Sequence, residues 1–208
     1  MKNYRIKSIF GPTLQGEGSH AGTCVVFLRF SGCNRWSGLE KDREKSFCKF
    51  CDTDFRDGES LTIQQIVERL EALGGPKRVV LTGGEPTLQL DLEILSELKR
   101  ICYETHLETN GSRPLGGLRH LLDHVTMSPK QSKDKTRLEE CDDLKLLFPL
   151  EDPGVTPATF DSFPAKARFL QPVMDGNYES NLRSTISQIY KDPRWRLSLQ
   201  THKIAGVE

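Results

Sequence analysis

Short apolar runs that each break into a polar or glycine-rich turn, usually followed by a helical pattern, recur along this 208-residue chain. They constrain its fold more than any other feature. Strand candidates fall at residues 4–10, 23–30, 78–82, 106–109, 124–127, 144–148, 168–170 and 196–200. Between them, Ile63, Ile66, Val67, Leu70 and Leu73 keep one helical face, which Thr62 and Gln65 open as a capping box and Gly74 ends. Leu92, Leu95, Leu98 and Cys102 mark a second helix from near Asp91, and Leu182, Thr185, Ile186 and Ile189 a last one; residues 118–122 form at most a short turn of helix. Strands alternating with helices imply right-handed βαβ units and a mainly parallel sheet. Several crossovers lack a good helix, so the expected architecture is α/β, an incomplete TIM-like barrel of about six mainly parallel strands with few helices. One domain over residues 1–208 suits this length. The charged stretch at 131–143 reads as a solvated loop.

In such sheets functional groups collect at the carboxyl ends of the strands. Reading only those ends gives TGGEP, ETNGS, SPK, QPVM, QTHK and, after the second strand, a cysteine loop. Cys33, Cys48 and Cys51 are spaced C-x14-C-x2-C, with Phe50 inside the closing pair. Two sulfurs one short turn apart converge on one metal or cluster corner, and a third arrives from farther away. Three is an odd count: structural zinc takes four protein ligands, whereas a catalytic centre keeps one position open. Six cysteines without a secretory signal point to metal or redox chemistry rather than a disulfide framework. Cys24, Cys102 and Cys141 read as packing or unpaired thiols. Arg29 interrupts an apolar strand and is either ion-paired or a binder of an anionic group. The Gly16, Glu17, Gly18 turn is a weak phosphate-loop signature, because no helix pattern follows it. The 29 Lys and Arg residues balance 29 Asp and Glu, which gives no field for nucleic acid or an anionic membrane. No apolar run reaches the roughly 20 residues of a membrane span. A cytoplasmic chain acting on a small molecule is expected.

With these residues in place the chain resembles the radical S-adenosylmethionine enzymes. Cys48-Lys49-Phe50-Cys51 has the form that closes their cluster loop, and Gly83-Gly84-Glu85-Pro86 is similar to their GGEP motif. More narrowly it resembles the 7-carboxy-7-deazaguanine synthases, through LQGEG, FLRF, CDT, TGGEP, ETNGS, SPK, QP and QTHK over residues 14–203. The usual cluster loop has three residues between its first two cysteines; here there are fourteen, an insertion at 34–47. The resemblance implies a 4Fe-4S cluster on Cys33, Cys48 and Cys51, whose fourth iron is left for S-adenosylmethionine. It implies that Phe50, Cys51, Asp52, Gly83, Gly84, Glu85, Ser128, Pro129, Lys130, Gln171, Pro172, Val173 and Met174 meet that cofactor, with Glu85 accepting from the methionine ammonium. The implied substrate is 6-carboxy-5,6,7,8-tetrahydropterin, which loses ammonia as its ring contracts to 7-carboxy-7-deazaguanine in 7-deazapurine (queuosine) biosynthesis. Arg29 would grip its carboxylate; Leu14, Gln15, Gly16, Glu17, Thr82, His202 and the terminal Glu208 are further substrate contacts by the same resemblance. Thr53 would be an oxygen ligand to Mg²⁺. A homodimer and an external electron donor such as flavodoxin complete the implied picture.

Two other readings use the same residues. A glycyl-radical activating enzyme shares the loop and GGEP, but Arg29, LQGEG and the CDT threonine describe a small-molecule acid pocket rather than an open face. A non-enzymatic zinc module would explain the thiols and none of the other strand-end clusters.

Overall fold

A computed structural model describes residues 2–150 and 152–207. Among these, nine strands form one sheet: β1 Asn3–Leu14, β2 Cys24–Phe30, β3 Glu59–Thr62, β4 Arg78–Gly83, β5 Glu104–Thr109, β6 His124–Met127, β7 Cys141–Phe148, β8 Ala165–Pro172 and β9 Arg196–Leu197. Their order is β3-β1-β2-β4-β5-β6-β7-β8-β9. From β2 to β9 every pairing is parallel, and β1 runs antiparallel to both β2 and β3. Since β3 and β9 are edges that do not pair with each other, the barrel stays open. The expected α/β architecture is the one observed.

Four α-helices accompany the sheet: α1 Ile63–Leu73, α2 Leu92–Arg100, α3 Tyr178–Lys191 and α4 Thr201–Ala205. The capping box that opens α1 forms, Gln65 N donating to Thr62 Oγ1 at 3.3 Å and Thr62 N to Gln65 Oε1 at 2.9 Å, a device that stabilises a helix start by about 1 kcal/mol. Asp91 caps α2 through the Ile94 amide and also accepts from the Tyr4 hydroxyl, which pins that helix to β1. Ile66, Leu70, Ile94, Leu95 and Leu98 share one core with Val79, Leu81, Leu107, Val125 and Leu144. Strand side chains alternate between faces, so when Leu107 points to this core its neighbours His106 and Glu108 point into the concave face.

The turn between β1 and β2 crosses that concave face. Ser19 donates to Asp143 of β7 through its amide (2.8 Å) and hydroxyl (2.6 Å), Gly18 N reaches Ser198 Oγ at 3.0 Å, and Glu17 meets Lys145 of β7 and Gln171 of β8. A single turn thus joins both halves of the open sheet. Beneath it His20, His106 and His124 lie ring against ring, with centroids 4.3, 4.5 and 5.2 Å apart.

Several sequence expectations change here. The stretch at 131–143 is not all solvated loop: Cys141, Asp142 and Asp143 open β7 and are buried, their charges met by Arg119, Lys166, His124 and Ser19. The last strand stops at Leu197 and the QTHK residues enter a short helix instead. β3 was too short and polar to signal itself. Residues 116–121 make only a 3-10 turn. The weak phosphate-loop reading of Gly16 to Gly18 finds no helix behind it, only a 3-10 turn at Gly18–His20.

Candidate active site

One cavity of about 600 Å³ opens at the carboxyl ends of the strands, and most of the strand-end clusters converge on it. Cys33, Cys48 and Cys51 line one side, none in a disulfide. Burial pushes the Cys48 thiol up to about 11, with the neighbouring Cys51 and Cys33 adding to the rise and Lys130 opposing it; burial also raises Cys33. Such thiols ionise when a cationic metal centre arrives and inverts the local field. Three thiols lining one cavity suit three corners of an iron–sulfur cluster that keeps its fourth for another ligand.

The residues between the cysteines form a brace. Glu40–Lys45 is a 3-10 turn, and Trp36 is buried edge-on against Phe55, their centroids 5.8 Å apart. The Arg43 guanidinium lies 4.2 Å over the Trp36 ring and donates to the carbonyls of Lys49 (2.8 Å) and Cys51 (3.0 Å). Asn34 holds the other end, bonded to Asn110 and Ser112 of the ETNGS turn. Sequence reasoning found no role for Arg43 or for the two asparagines.

At the end of β4, Gly83 adopts φ +145°, and a Cβ there would lie 2.2 Å from Phe30 O; one on Gly84 would lie 2.1 Å from Gly32 O. Only glycine lets this strand end pass so close to the cysteine loop. Gly83 and Gly84 line the cavity, but Glu85 does not. Its carboxylate is fully buried. It accepts from Thr87 N (3.1 Å), Thr87 Oγ1 (2.6 Å), Thr109 Oγ1 (2.7 Å) and Asn110 N (2.7 Å). In this arrangement the glutamate ties the β4 and β5 strand ends together and faces protein donors. Phe50, Ser128, Lys130, Gln171, Pro172, Val173 and Met174 line the cavity as grouped in the sequence reading, whereas Pro129 is buried away from it. Lys130 donates to Ser128 Oγ at 2.6 Å.

In the same cavity lining, register places Arg29 beside Thr82, on adjacent parallel strands. The Arg29 guanidinium stands 5.6 Å from the Phe10 ring centroid. No carboxylate among the described residues pairs with it, and its fork of donors is open to the cavity. Leu14, Gln15, Glu17, Thr82 and His202 share this part of the wall. Gly16 is behind it, packed on His202. Thr53 and Asp52 are at the rim, where Asp52 forms an ion pair with Lys203 of α4. Glu208 lies outside the described residues.

Two further charged side chains line the cavity: Glu108, which the sequence shows only as the first residue of ETNGS, and Lys145, which carried no sequence signal. Glu108 accepts from Gln15 Nε2 at 3.0 Å and Thr82 Oγ1 at 3.1 Å. Lys145 forms an ion pair with Glu17, whose other oxygen accepts from Gln171 (2.9 Å) and Gln200 (2.8 Å). Burial alone would raise the Glu17 carboxyl, but Lys145 and the two amides hold it well below the usual range. Alternate polar residues on a strand look alike in sequence, and only the fold shows which of them face a cavity.

The family model described as the radical SAM superfamily matches residues 45–145, the span that carries the C-x2-C pair and the GGEP strand end. This defines a radical S-adenosylmethionine enzyme, a class whose cofactors are a 4Fe-4S cluster and S-adenosylmethionine. Full-length relatives narrow the class. The chain is 40% identical over 216 residues to the 7-carboxy-7-deazaguanine synthase of Caulobacter vibrioides, covering 98% of this chain and 99% of that one. It is 39% identical over 217 residues to the synthase of Bradyrhizobium diazoefficiens, covering 99% of each. It belongs to the 7-carboxy-7-deazaguanine synthase family. The crystal structure of QueE from Escherichia coli has the same fold, with a TM-score of 0.65 over 95% of this chain and 94% of that one at 22% identity.

Proposed function

We propose that this chain converts 6-carboxy-5,6,7,8-tetrahydropterin to 7-carboxy-7-deazaguanine with loss of ammonia, as a Mg²⁺-dependent carbon–nitrogen lyase of queuosine biosynthesis. The observation that carries the reading is one cavity lined both by three thiols and by a guanidinium, Arg29, with which no carboxylate among the described residues pairs. Cluster and S-adenosylmethionine, when bound, supply radical hydrogen abstraction. The protein's part is to place the substrate against them.

Arg29 takes the substrate carboxylate as a bidentate fork. Leu14, Gln15, Glu17, Thr82 and His202 hold the ring system, with Gly16 leaving room for His202 to stand close. Cys33, Cys48 and Cys51 hold the cluster. Backbone at Gly83 and Gly84, and the side chains of Phe50, Ser128, Lys130 and Gln171 to Met174, enclose the methionine and adenosine portions of the cofactor. Thr53 offers Mg²⁺ a hydroxyl ligand, consistent with an ion that keeps most of its waters and takes few protein donors. We read residues 1–208 as one domain with an insertion at 34–47, working in the cytoplasm as a homodimer reduced by a flavodoxin-type donor; family membership supports this part of the reading. No described helix is long and apolar enough to cross a membrane.

The Mg²⁺ assignment is tested by assaying the wild type and Thr53→Ala across a Mg²⁺ titration. The variant is expected to keep its iron and need more Mg²⁺ for the same rate. An unchanged titration would return Thr53 to the role of a turn residue.

A further inference from the structure

Lys145 stands on the cavity wall with a side chain only 6% exposed. An ammonium carries three N–H donors. Glu17 takes one, and among the described residues no other protein acceptor takes the remaining two. Unspent donors on a buried cation are costly unless a ligand or water meets them. Two of the carboxylates that attract it are already fixed in place. Glu17 is held by Gln171 and Gln200, and Glu108 by Gln15 and Thr82. Lys145 therefore presents a rigid donor flanked by acceptors, and both carboxylates act with its electrostatic attraction to keep it charged against the cost of burial. The other cations of the wall are engaged differently: Lys130 with Ser128 beside the thiols, Arg29 over Phe10.

A 2-amino-4-oxopyrimidine ring, common to the pterin and to the deazaguanine product, has the complementary edge: a carbonyl acceptor next to ring N–H and amino donors. We propose that Lys145 is a specificity-determining residue that donates a hydrogen bond from its ammonium to the ring carbonyl oxygen of that edge. This rests on the pterin reading above.

The test pairs two ligands with two proteins. Anaerobic calorimetry on the cluster-loaded enzyme, without reductant, compares 6-carboxytetrahydropterin with its analogue in which hydrogen replaces the ring oxygen. The wild type is expected to prefer the oxygen-bearing ligand by about 10- to 100-fold, and Lys145→Met to lower that preference by about threefold or more, the remainder belonging to the neighbouring ring N–H that the analogue also loses. A purely structural lysine would weaken both ligands alike and leave the ratio standing, and that result overturns the proposal. Where Lys145→Met leaves Glu17 unpaired and does not fold, Glu17→Gln/Lys145→Met removes both charges, and its ratio decides in the same way. A wild type that binds neither ligand overturns the pterin reading itself, and this inference with it.

Discussion

Arg43 donates to the carbonyl of Cys51 at 3.0 Å while its guanidinium lies over Trp36. The segment between Cys33 and Cys48 thus folds back to fix the turn that carries two of the three thiols. Arg43→Ala should leave the global fold intact and speed loss of iron to a chelator several-fold. Arg43→Lys should not restore retention, because a point charge offers neither the two-carbonyl fork nor the flat stacking face. Iron content against time in chelator measures both; wild-type retention in Arg43→Ala would reduce the insertion to surface packing.

Glu85 gives a second prediction. Glu85→Gln places an NH₂ group among protein donors in a fully buried position, and leaving such groups unpaired costs about 1–3 kcal/mol each. Thermal or urea unfolding should show a clear loss of stability before any cofactor is added. A variant that unfolds like the wild type but binds S-adenosylmethionine weakly would assign the carboxylate to the cofactor instead.

Gly16 is fixed by its neighbour. A Cβ there would fall 1.8 Å from His202 Nδ1, and the Gly16 carbonyl accepts from both Thr201 N and Oγ1 at 3.0 Å. Gly16→Ala is expected to displace α4, lower stability by about 1–3 kcal/mol, expose residues 201–207 to protease and raise the substrate KM. Unchanged proteolysis would mean that His202 swings aside freely.

The histidine cluster makes stability pH-dependent. Burial lowers the His20 and His106 pKa values, and the other histidines of the cluster add to the fall. Below about pH 6.5 the unfolded chain therefore binds protons that the folded chain refuses. Unfolding free energy is full above that pH and falls as pH drops toward the folded-state values, by at most about 1.4 kcal/mol per pH unit for the buried His106. Urea unfolding at about pH 7.5 and about pH 5.5 should show the loss, and His106→Gln should flatten it. An equal pH slope in that variant would locate the effect elsewhere.

How far the sequence discloses this site depends on what each residue needs from its neighbours. Cysteine spacing, capping residues and strand-end clusters are local, and they anticipated the open parallel sheet, the meeting of three thiols in one cavity and the capping of α1. Lys145 and Asp143 owe their meaning to a turn that arrives from more than a hundred residues away, so in sequence they look like ordinary polar positions. Glu85 shows the converse. Its motif is legible, but two of the four donors on its carboxylate, Thr109 Oγ1 and Asn110 N, come from the end of β5 rather than from the motif's own turn.

The central claim is chemical, and anaerobic turnover tests it most directly. Reconstituted protein is incubated with 6-carboxytetrahydropterin, S-adenosylmethionine, Mg²⁺ and reductant, and the products are read by mass. The account predicts 7-carboxy-7-deazaguanine, formed with loss of ammonia and dependent on Cys48. Cleavage of S-adenosylmethionine with the pterin left unchanged would contradict it.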